Sequence, residues 1–103
     1  MGMNVRGKIL IDEFVAEHRA AAKPLGRWLA VVECSQWGNF AQVRETFRNA
    51  DLVRLNNVNY VVFNVGGNKY RLVTEIDYRG TLVVVDVVMT HAQYSKDRWK
   101  DKL

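Results

Sequence analysis

The spacing of apolar residues in this 103-residue chain changes near Leu52, from a helical period to the two-residue period of strands. Before that point, residues three and four apart mark one helical face: Ile11, Phe14, Val15 and His18. Acidic residues occupy the opposite face, as in an amphipathic helix at a protein surface. We therefore predict an α+β fold, in which helices from the first half pack on a sheet formed by the second half.

Two further helices are predicted before Leu52. After a break at residues 20–24, Pro24 is well placed in the first turn of a second helix, because that turn needs no hydrogen bond from its nitrogen. The apolar stripe of this helix consists of Leu25, Trp28, Leu29 and Val32. Asn39 can cap a third, short helix. A short strand at residues 3–8 is predicted to precede all three helices.

The second half predicts three strands, at residues 60–65, 70–76 and 81–89, rich in β-branched and aromatic residues. Gly66-Gly67 suits a two-residue primed turn, because both positions of that turn require positive φ. Residues 77–80 form the second turn of an antiparallel meander, and residues 3–8 add a fourth strand at its edge. Thr90 is predicted to cap a last helix over residues 91–100. The expected result is a small, twisted, mainly antiparallel sheet with the N-terminal helices on one face and the other face partly open.

Length and composition fit one compact domain, predicted to span residues 3–103. Met1-Gly2 is interpreted as a remnant of cloning, with Met3 as the natural start. The 49% hydrophobic and 25% charged fractions are those of an ordinary globular protein. The net charge of +4 favours an anionic partner without identifying one.

One cysteine, Cys34, excludes an intramolecular disulfide, and one cysteine with two histidines is too few ligands for a closed zinc site. We therefore expect no bound metal, and Cys34 and His18 are expected in the core. No apolar run approaches the roughly 18 residues of a membrane span. The prediction is a reduced, cytoplasmic protein without a membrane partner.

Two cations are predicted to project together from the middle strand of the sheet. Alternation places Lys69 and Arg71 on one face of that strand, with Val73 and Glu75 following on the same face. Two cations on an exposed face can simply be solvated there, with Glu75 as an ion-pair partner. Alternatively, they can form a cradle for an anion. The motifs on either side of this strand favour the cradle.

The run from Tyr60 to Val73 contains Phe-Asn-Val-Gly-Gly-Asn followed by the arginine of the middle strand, and the next strand ends in Thr-His-x-x-Tyr, at residues 90–94. In combination these motifs closely resemble the HigB toxins of the RelE superfamily, which belong to bacterial toxin–antitoxin systems. The resemblance spans essentially residues 3–96 and is firmest between Asp51 and Tyr94. It implies the microbial ribonuclease-like fold of that family, and the order of predicted elements agrees.

The resemblance also implies an activity and its partners. Members of the family are metal-independent endoribonucleases that enter the ribosomal A site and cut messenger RNA during translation. A cognate helix-turn-helix antitoxin, of the HigA type, holds them inactive. No cofactor is implied. The antitoxin could cover the cationic face directly or dock on the helices around Trp28 and Phe40, and the second mode is expected here. Trp28 and Trp37 can accordingly be core residues or antitoxin contacts.

Four residues are the predicted catalytic set. In metal-free RNA cleavage the ribose 2′-OH attacks the adjacent phosphorus, so the protein must stabilise negative charge on phosphoryl oxygens and move two protons. Arg71 matches the arginine of the family's strand and offers a fork for two phosphate oxygens, with Lys69 as a second charge. His91 can take or give a proton near neutral pH. Tyr94, one helical turn later, is expected to contact phosphate or base or to carry the second proton.

Four more residues are the predicted RNA-binding set: Asn68, Lys96, Arg98 and Trp99. The basic residues after Tyr94 can attract the RNA backbone by charge, and the ring of Trp99 can stack on a base. The alternative for this tail is a frayed, solvated chain end.

The family usually places an acidic residue after the tyrosine, whereas this chain has Ser95-Lys96, and Asp97 is the nearest substitute. Two functions are therefore carried forward. The first is a ribosome-dependent messenger RNA endonuclease. The second is a non-catalytic RNA- or ribosome-binding module of the same fold.

Overall fold

A computed structural model describes residues 2–103; Met1, half of the predicted cloning remnant, lies outside the described residues. The α-helices are Lys8–Glu17 (α1), Ala22–Glu33 (α2), Phe40–Thr46 (α3) and His91–Ser95 (α4). Short 3₁₀ helices lie at Arg19–Ala21 and Arg98–Lys102. The strands are Asn4–Arg6 (β1), Asp51–Leu55 (β2), Val58–Val65 (β3), Tyr70–Asp77 (β4) and Leu82–Thr90 (β5).

The helices form where the helical period predicts them. Pro24 lies in the first turn of α2, and the predicted stripe of that helix buries Leu25, Trp28 and Val32. The side chain of Asn39 accepts a hydrogen bond from the backbone N–H of Gln42 at 3.0 Å, which is the predicted N-cap of α3. The helical first half is therefore confirmed.

The strands form one mixed sheet in the order β1-β5-β4-β3-β2, which confirms the α+β class. Every neighbouring pair is antiparallel except β1 and β5, which run parallel. β1 pairs only with Leu82–Val84, because helix α1 begins at Lys8 instead of letting the strand continue. The remainder of β5, from Val85 to Thr90, lacks a neighbouring strand on that side within residues 2–103.

The meander contains one strand more than the three predicted from the sequence. Residues 51–55 form β2, which pairs with β3 through a two-residue turn at Asn56 and Asn57. Both asparagines have positive φ, 51° and 65°. Asparagine tolerates the left-handed region better than most other non-glycine residues. An Asn-Asn pair can therefore occupy the two turn positions that require positive φ. The turn signal was present in the sequence but weaker than a glycine pair.

The turn between β3 and β4 is longer than predicted. Val65 pairs with Tyr70, which leaves four residues in the turn instead of two. Gly66, Gly67 and Asn68 all have positive φ, at 70°, 62° and 78°. The two glycines therefore predicted correctly where the chain turns. The third left-handed residue, Asn68, lengthens the turn. Its side chain points back toward β4 and contacts Arg71.

The second face of the sheet, predicted to be partly open, is covered in part by the C-terminal segment. Its apolar residues form a cluster separate from the helix-side core: Tyr60, Val62, Val73, Met89 and Trp99. The last helix does not reach residue 100, because α4 ends at Ser95 and Asp97 takes a left-handed φ of 59°. That turn folds the C-terminal segment, residues 96–103, back over the sheet, so the predicted alternative of a frayed tail is wrong.

Other residues with predicted environments can now be placed. Trp28 and Trp37 are buried and pack on Phe63, so both are core residues. His18 is half-buried against Phe14, close to the prediction. Cys34 is exposed, contrary to the prediction, because it follows the last buried turn of α2. Among residues 2–103, no helix is long and apolar enough to cross a membrane.

Candidate active site

Arg71 lies at the start of β4, between Asn64 of β3 and Met89 of β5. It is 6% exposed, so the prediction of a freely exposed fork is wrong. One terminal nitrogen, Nη1, donates to the backbone carbonyls of Asn68 and Tyr70, each at 3.2 Å. The other, Nη2, donates to Asn68 Oδ1 at 2.7 Å and to His91 Nδ1 at 2.8 Å. The four hydrogens of the two Nη atoms all have partners, which fixes the plane of the guanidinium.

The β3–β4 turn supplies most of these partners. Asn68 is exposed but clasps Arg71 through both its backbone carbonyl and its side-chain oxygen. Lys69 is exposed in the same turn, and its carbonyl accepts the backbone N–H of His91 at 2.8 Å. The turn therefore joins the beginning of β4 to the beginning of α4. Lys69 and Arg71 do not project side by side toward an anion. Lys69 is exposed to solvent in the turn, whereas Arg71 is buried in the sheet.

His91 is the first residue of α4, and its position is set by a capping box. Thr90 accepts the N–H of Gln93 at 3.2 Å, and the Gln93 side chain accepts the N–H of Thr90 at 3.0 Å. Because a guanidinium can only donate, Nδ1 of His91 must accept the bond from Arg71. The imidazole is therefore neutral in this arrangement, and its hydrogen is on Nε2.

Tyr94 and Trp99 complete the site from the C-terminal side. The Arg71 guanidinium lies 5.4 Å from the centroid of the Tyr94 ring, a cation–π contact. Trp99 stacks on Tyr94, with centroids 5.1 Å apart and planes 14° apart, and its Nε1 donates to the Tyr94 carbonyl at 3.0 Å. Lys100 lies 5.7 Å from the Trp99 ring centroid. The stacked rings of Tyr94 and Trp99 thus lie between two cations, Arg71 and Lys100.

The environment of Tyr94 keeps its hydroxyl protonated. Burial, and after it the Asp51 carboxylate, raise the pKa of Tyr94 above its usual value of 10, although Arg71 and Lys100 act in the opposite direction. A phenol with a raised pKa donates a hydrogen bond at neutral pH. We call Asn68, Arg71, His91 and Tyr94 the arginine site.

The predicted RNA-binding residues separate in space. Asn68 belongs to the arginine site, whereas Lys96 and Arg98 are exposed along a neighbouring cleft. Trp99 is only 4% exposed, so the prediction that its ring stacks on an RNA base is wrong. Burying an aromatic ring on the sheet is favourable by roughly 1.5–3 kcal/mol, and this packing accounts for its position. Asp97, considered as a substitute acid, instead pairs with Lys100 at 3.4 Å.

Sequence reasoning missed a pair of carboxyl groups at the other end of the same face. Asp86 is the unmatched residue of a bulge in β5, because Val85 pairs with Thr74 and Val87 with Val73. Burial, a hydrogen bond with Glu75 and repulsion from its carboxylate raise the pKa of Asp86 to about 7. Its Oδ2 is buried, and no donor reaches it unless one of the two carboxyls is protonated. Nothing in the sequence pattern distinguishes Asp86 from a surface aspartate.

A family model described as HigB_toxin, the RelE-like toxic component of a toxin-antitoxin system, matches residues 21–97. The chain belongs to the HigB toxin family. The matched region includes β2 to β5 and the whole arginine site, so the four predicted catalytic residues all lie inside it. A comparison with curated proteins finds no match. The predicted family and fold are confirmed, and membership makes this chain the toxic component of a system whose other component is an antitoxin.

Proposed function

We propose that this HigB family toxin is a metal-independent endoribonuclease that cuts messenger RNA in the ribosomal A site and thereby stops translation. The proposal includes action in the cytoplasm and inhibition by a helix-turn-helix antitoxin of the HigA type. The observation that carries it is the 2.8 Å hydrogen bond between Arg71 and His91. It joins a permanent cation to a neutral imidazole, which are the charge and the proton acceptor that phosphodiester cleavage by a 2′-OH requires.

The first step is an exchange of partners at Arg71. Its Nη1 remains anchored on the carbonyls of Asn68 and Tyr70, while Nη2 leaves Asn68 Oδ1 and His91 Nδ1 for two oxygens of the scissile phosphate. A bond from the guanidinium to a charged phosphate oxygen is stronger than its bond to a neutral imidazole or amide, which favours the exchange. Lys69, exposed at the turn, adds positive charge to the approach path.

The exchange leaves His91 Nδ1 without its donor and able to accept a proton. The 2′-oxygen then forms a bond to phosphorus as its proton passes to Nδ1, and the bond from phosphorus to the 5′-oxygen breaks. The protonated hydroxyl of Tyr94 supplies the proton that the leaving 5′-oxygen needs. Arg71 stabilises the added charge on the phosphoryl oxygens throughout. The products are a 2′,3′-cyclic phosphate and a 5′-hydroxyl end.

A test in cells separates this function from others. The protein is induced without its antitoxin, and transcript 5′ ends are mapped before and after induction. We expect growth arrest with new 5′-hydroxyl ends inside coding regions. Arg71→Ala should lower cleavage by about 10²-fold or more, as removal of a preorganised charge does in other active sites. The exposed Arg54→Ala serves as the matched control and should cleave normally.

One observation favours the second candidate function, a non-catalytic RNA- or ribosome-binding module. Arg71 is 6% exposed with its terminal nitrogens fully bonded inside the protein, as a purely structural arginine would be. If induction arrests growth while transcripts stay intact, this second function is correct and the endonuclease is refuted.

A further inference from the structure

A cleft of about 430 Å³ adjoins the arginine site where β1 stops. β1 pairs with β5 only as far as Val84, so the rest of that edge of β5 is bordered by α1 on one side and the C-terminal segment on the other. Val87, Val88 and Met89 form the floor between them. We call this the β5 cleft. It exists because the N-terminal strand is three residues long while its partner is nine.

The rim of the β5 cleft is positively charged. Lys96, Arg98 and Lys102 line it, together with one carboxylate, Glu17. The ion pairs found in the described part of the chain are Lys8 with Glu33 and Lys100 with Asp97, so none of the three rim cations has a carboxylate within 4.0 Å. Three unpaired cations against one carboxylate leave the rim positively charged, which favours an anionic partner.

An aromatic ring lies at the α1 side of the cleft. His18 lines it at the end of α1, and one face of its imidazole stacks on Phe14, with centroids 4.1 Å apart and planes 11° apart. Its Nδ1 lies 3.3 Å from the Phe14 carbonyl, which helps to hold the ring in place. The residue is half-buried and lines the cleft, so part of it can be reached by a ligand there.

Two residues that line the β5 cleft are also neighbours of the arginine site. Met89 lies in its floor and is the cross-strand partner of Arg71. Trp99 lies in its wall and stacks on Tyr94. The cleft and the arginine site are therefore one residue apart, on either side of Met89 and Trp99.

We propose that the β5 cleft binds single-stranded RNA next to the scissile phosphate, with backbone phosphates on the three rim cations and a base stacked on His18. This deepens the proposed nuclease function, and the position of the scissile phosphate rests on it. RNA fits the three cations, the ring and the opening together, whereas an acidic peptide would use only the cations. Residues far apart in the sequence, His18 and Lys102, thereby serve one ligand.

The test uses the whole protein and a fluorescent ten-nucleotide RNA of mixed sequence, 2′-O-methylated so that it cannot be cleaved. Affinity is measured by anisotropy over a series of salt concentrations. Lys96→Gln, Arg98→Gln and Lys102→Gln are combined in one variant. Each phosphate contact contributes about 0.7 to the slope of log affinity against log salt for single strands, so the slope should fall by about 2. A control variant removes the same charge at exposed positions outside the cleft, Lys23, Arg54 and Arg79.

Two single variants test the ring and the sign of the charge. His18→Ala should weaken binding about tenfold, the usual effect of losing one stacking ring. Glu17→Gln should strengthen binding, because it removes the only carboxylate that lines the cleft among the described residues. Equal loss in the cleft variant and the charge-matched control would overturn the proposal. So would a cleft variant that binds RNA normally but fails to bind the antitoxin, since the ligand would then be an acidic protein surface.

Because the probe cannot be cut, this result is independent of catalysis. A wild-type protein that never cleaves but binds RNA through the cleft would refute the nuclease and retain the cleft. A protein that cleaves but shows no difference between the cleft variant and its control would refute the cleft and retain the nuclease.

Discussion

Nη2 of Arg71 and Nδ1 of His91 come from positions 20 residues apart and lie 2.8 Å from each other. The contact depends on the turn between β3 and β4, because Asn68 holds the arginine and the Lys69 carbonyl holds the backbone of His91. Nδ1 of the histidine consequently accepts from the guanidinium until a phosphate competes for Arg71. In the proposed mechanism Nδ1 both anchors Arg71 and later takes the proton, and substitutions can separate these two roles.

His91→Asn and His91→Gln form a matched pair. The Asn side-chain oxygen can replace Nδ1 as the acceptor for Arg71, whereas Gln places its amide near the position of Nε2. Neither amide can accept a proton, so both variants should lose cleavage by about 10²-fold or more. Ribosome binding should be retained, and more fully by His91→Asn, because Arg71 stays anchored. Cleavage at the wild-type rate in either variant would show that the proton acceptor lies elsewhere.

Trp99 is expected to act by positioning Tyr94, not by touching RNA. Trp99→Phe keeps a ring against Tyr94 and loses the bond from Nε1 to the Tyr94 carbonyl, while Trp99→Leu loses both. We expect kcat to fall at least tenfold in Trp99→Leu with little change in KM, and to be largely restored in Trp99→Phe. The assay is run below the melting temperature of both variants. A rise in KM as large as the fall in kcat would argue against a positioning role for Trp99.

Asp86 should make stability depend on pH. The pKa of Asp86 is about 7 in the folded chain and 3.8 without the fold. Because the folded state binds the proton more tightly, protonation of Asp86 stabilises the fold. This contribution is complete below pH 4 and is lost as the pH rises through 7. Asp86→Asn removes this loss. The wild-type melting temperature should therefore fall more between pH 5 and 8 than that of Asp86→Asn, by a few degrees. The exposed Asp12→Asn should follow the wild type, and identical curves for all three would contradict the carboxyl pair.

Cleavage should not require a divalent metal, because Arg71 and His91 supply the charge and the proton acceptor in the proposed mechanism. Protein treated with EDTA and then freed of it should cut ribosome-bound messenger RNA at the untreated rate. Its products should carry a 5′-hydroxyl, detected by phosphorylation with a kinase. Products with a 5′-phosphate, or activity that returns only when metal is added back to the treated protein, would rule this mechanism out.

The antitoxin is expected to cover the helices and to leave the arginine site uncovered. Large apolar side chains are exposed on that layer, including Ile9 at 63% and Val31 at 41%. Hydrogen exchange with and without antitoxin should therefore show protection between residues 8 and 47. Protection confined to residues 69–76 and 91–94 would contradict the prediction.

The class of the fold and the residues of the arginine site could be predicted from the sequence. The burial and the hydrogen-bond partners of those residues could not. Period and caps predicted α1 to α3, and Asn39 and Thr90 cap helices as expected. The hydrogen bonds of Arg71 depend on the left-handed backbone conformation of Asn68. The Gly-Gly pair predicts the turn but does not predict that conformation at the residue after it. Burial of Trp99 depends on the turn at Asp97, since a basic tail with one tryptophan is equally compatible with a free end.

The C-terminal segment bears on when a newly made chain can act. Synthesis proceeds from the N-terminus, so Trp99 and Leu103 leave the ribosomal exit tunnel after every strand of the sheet. Until they emerge, Tyr94 has no ring beneath it and the second face of the sheet is uncovered. Packing of Trp99 on Tyr94 is therefore the last step by which a newly made chain completes the arginine site.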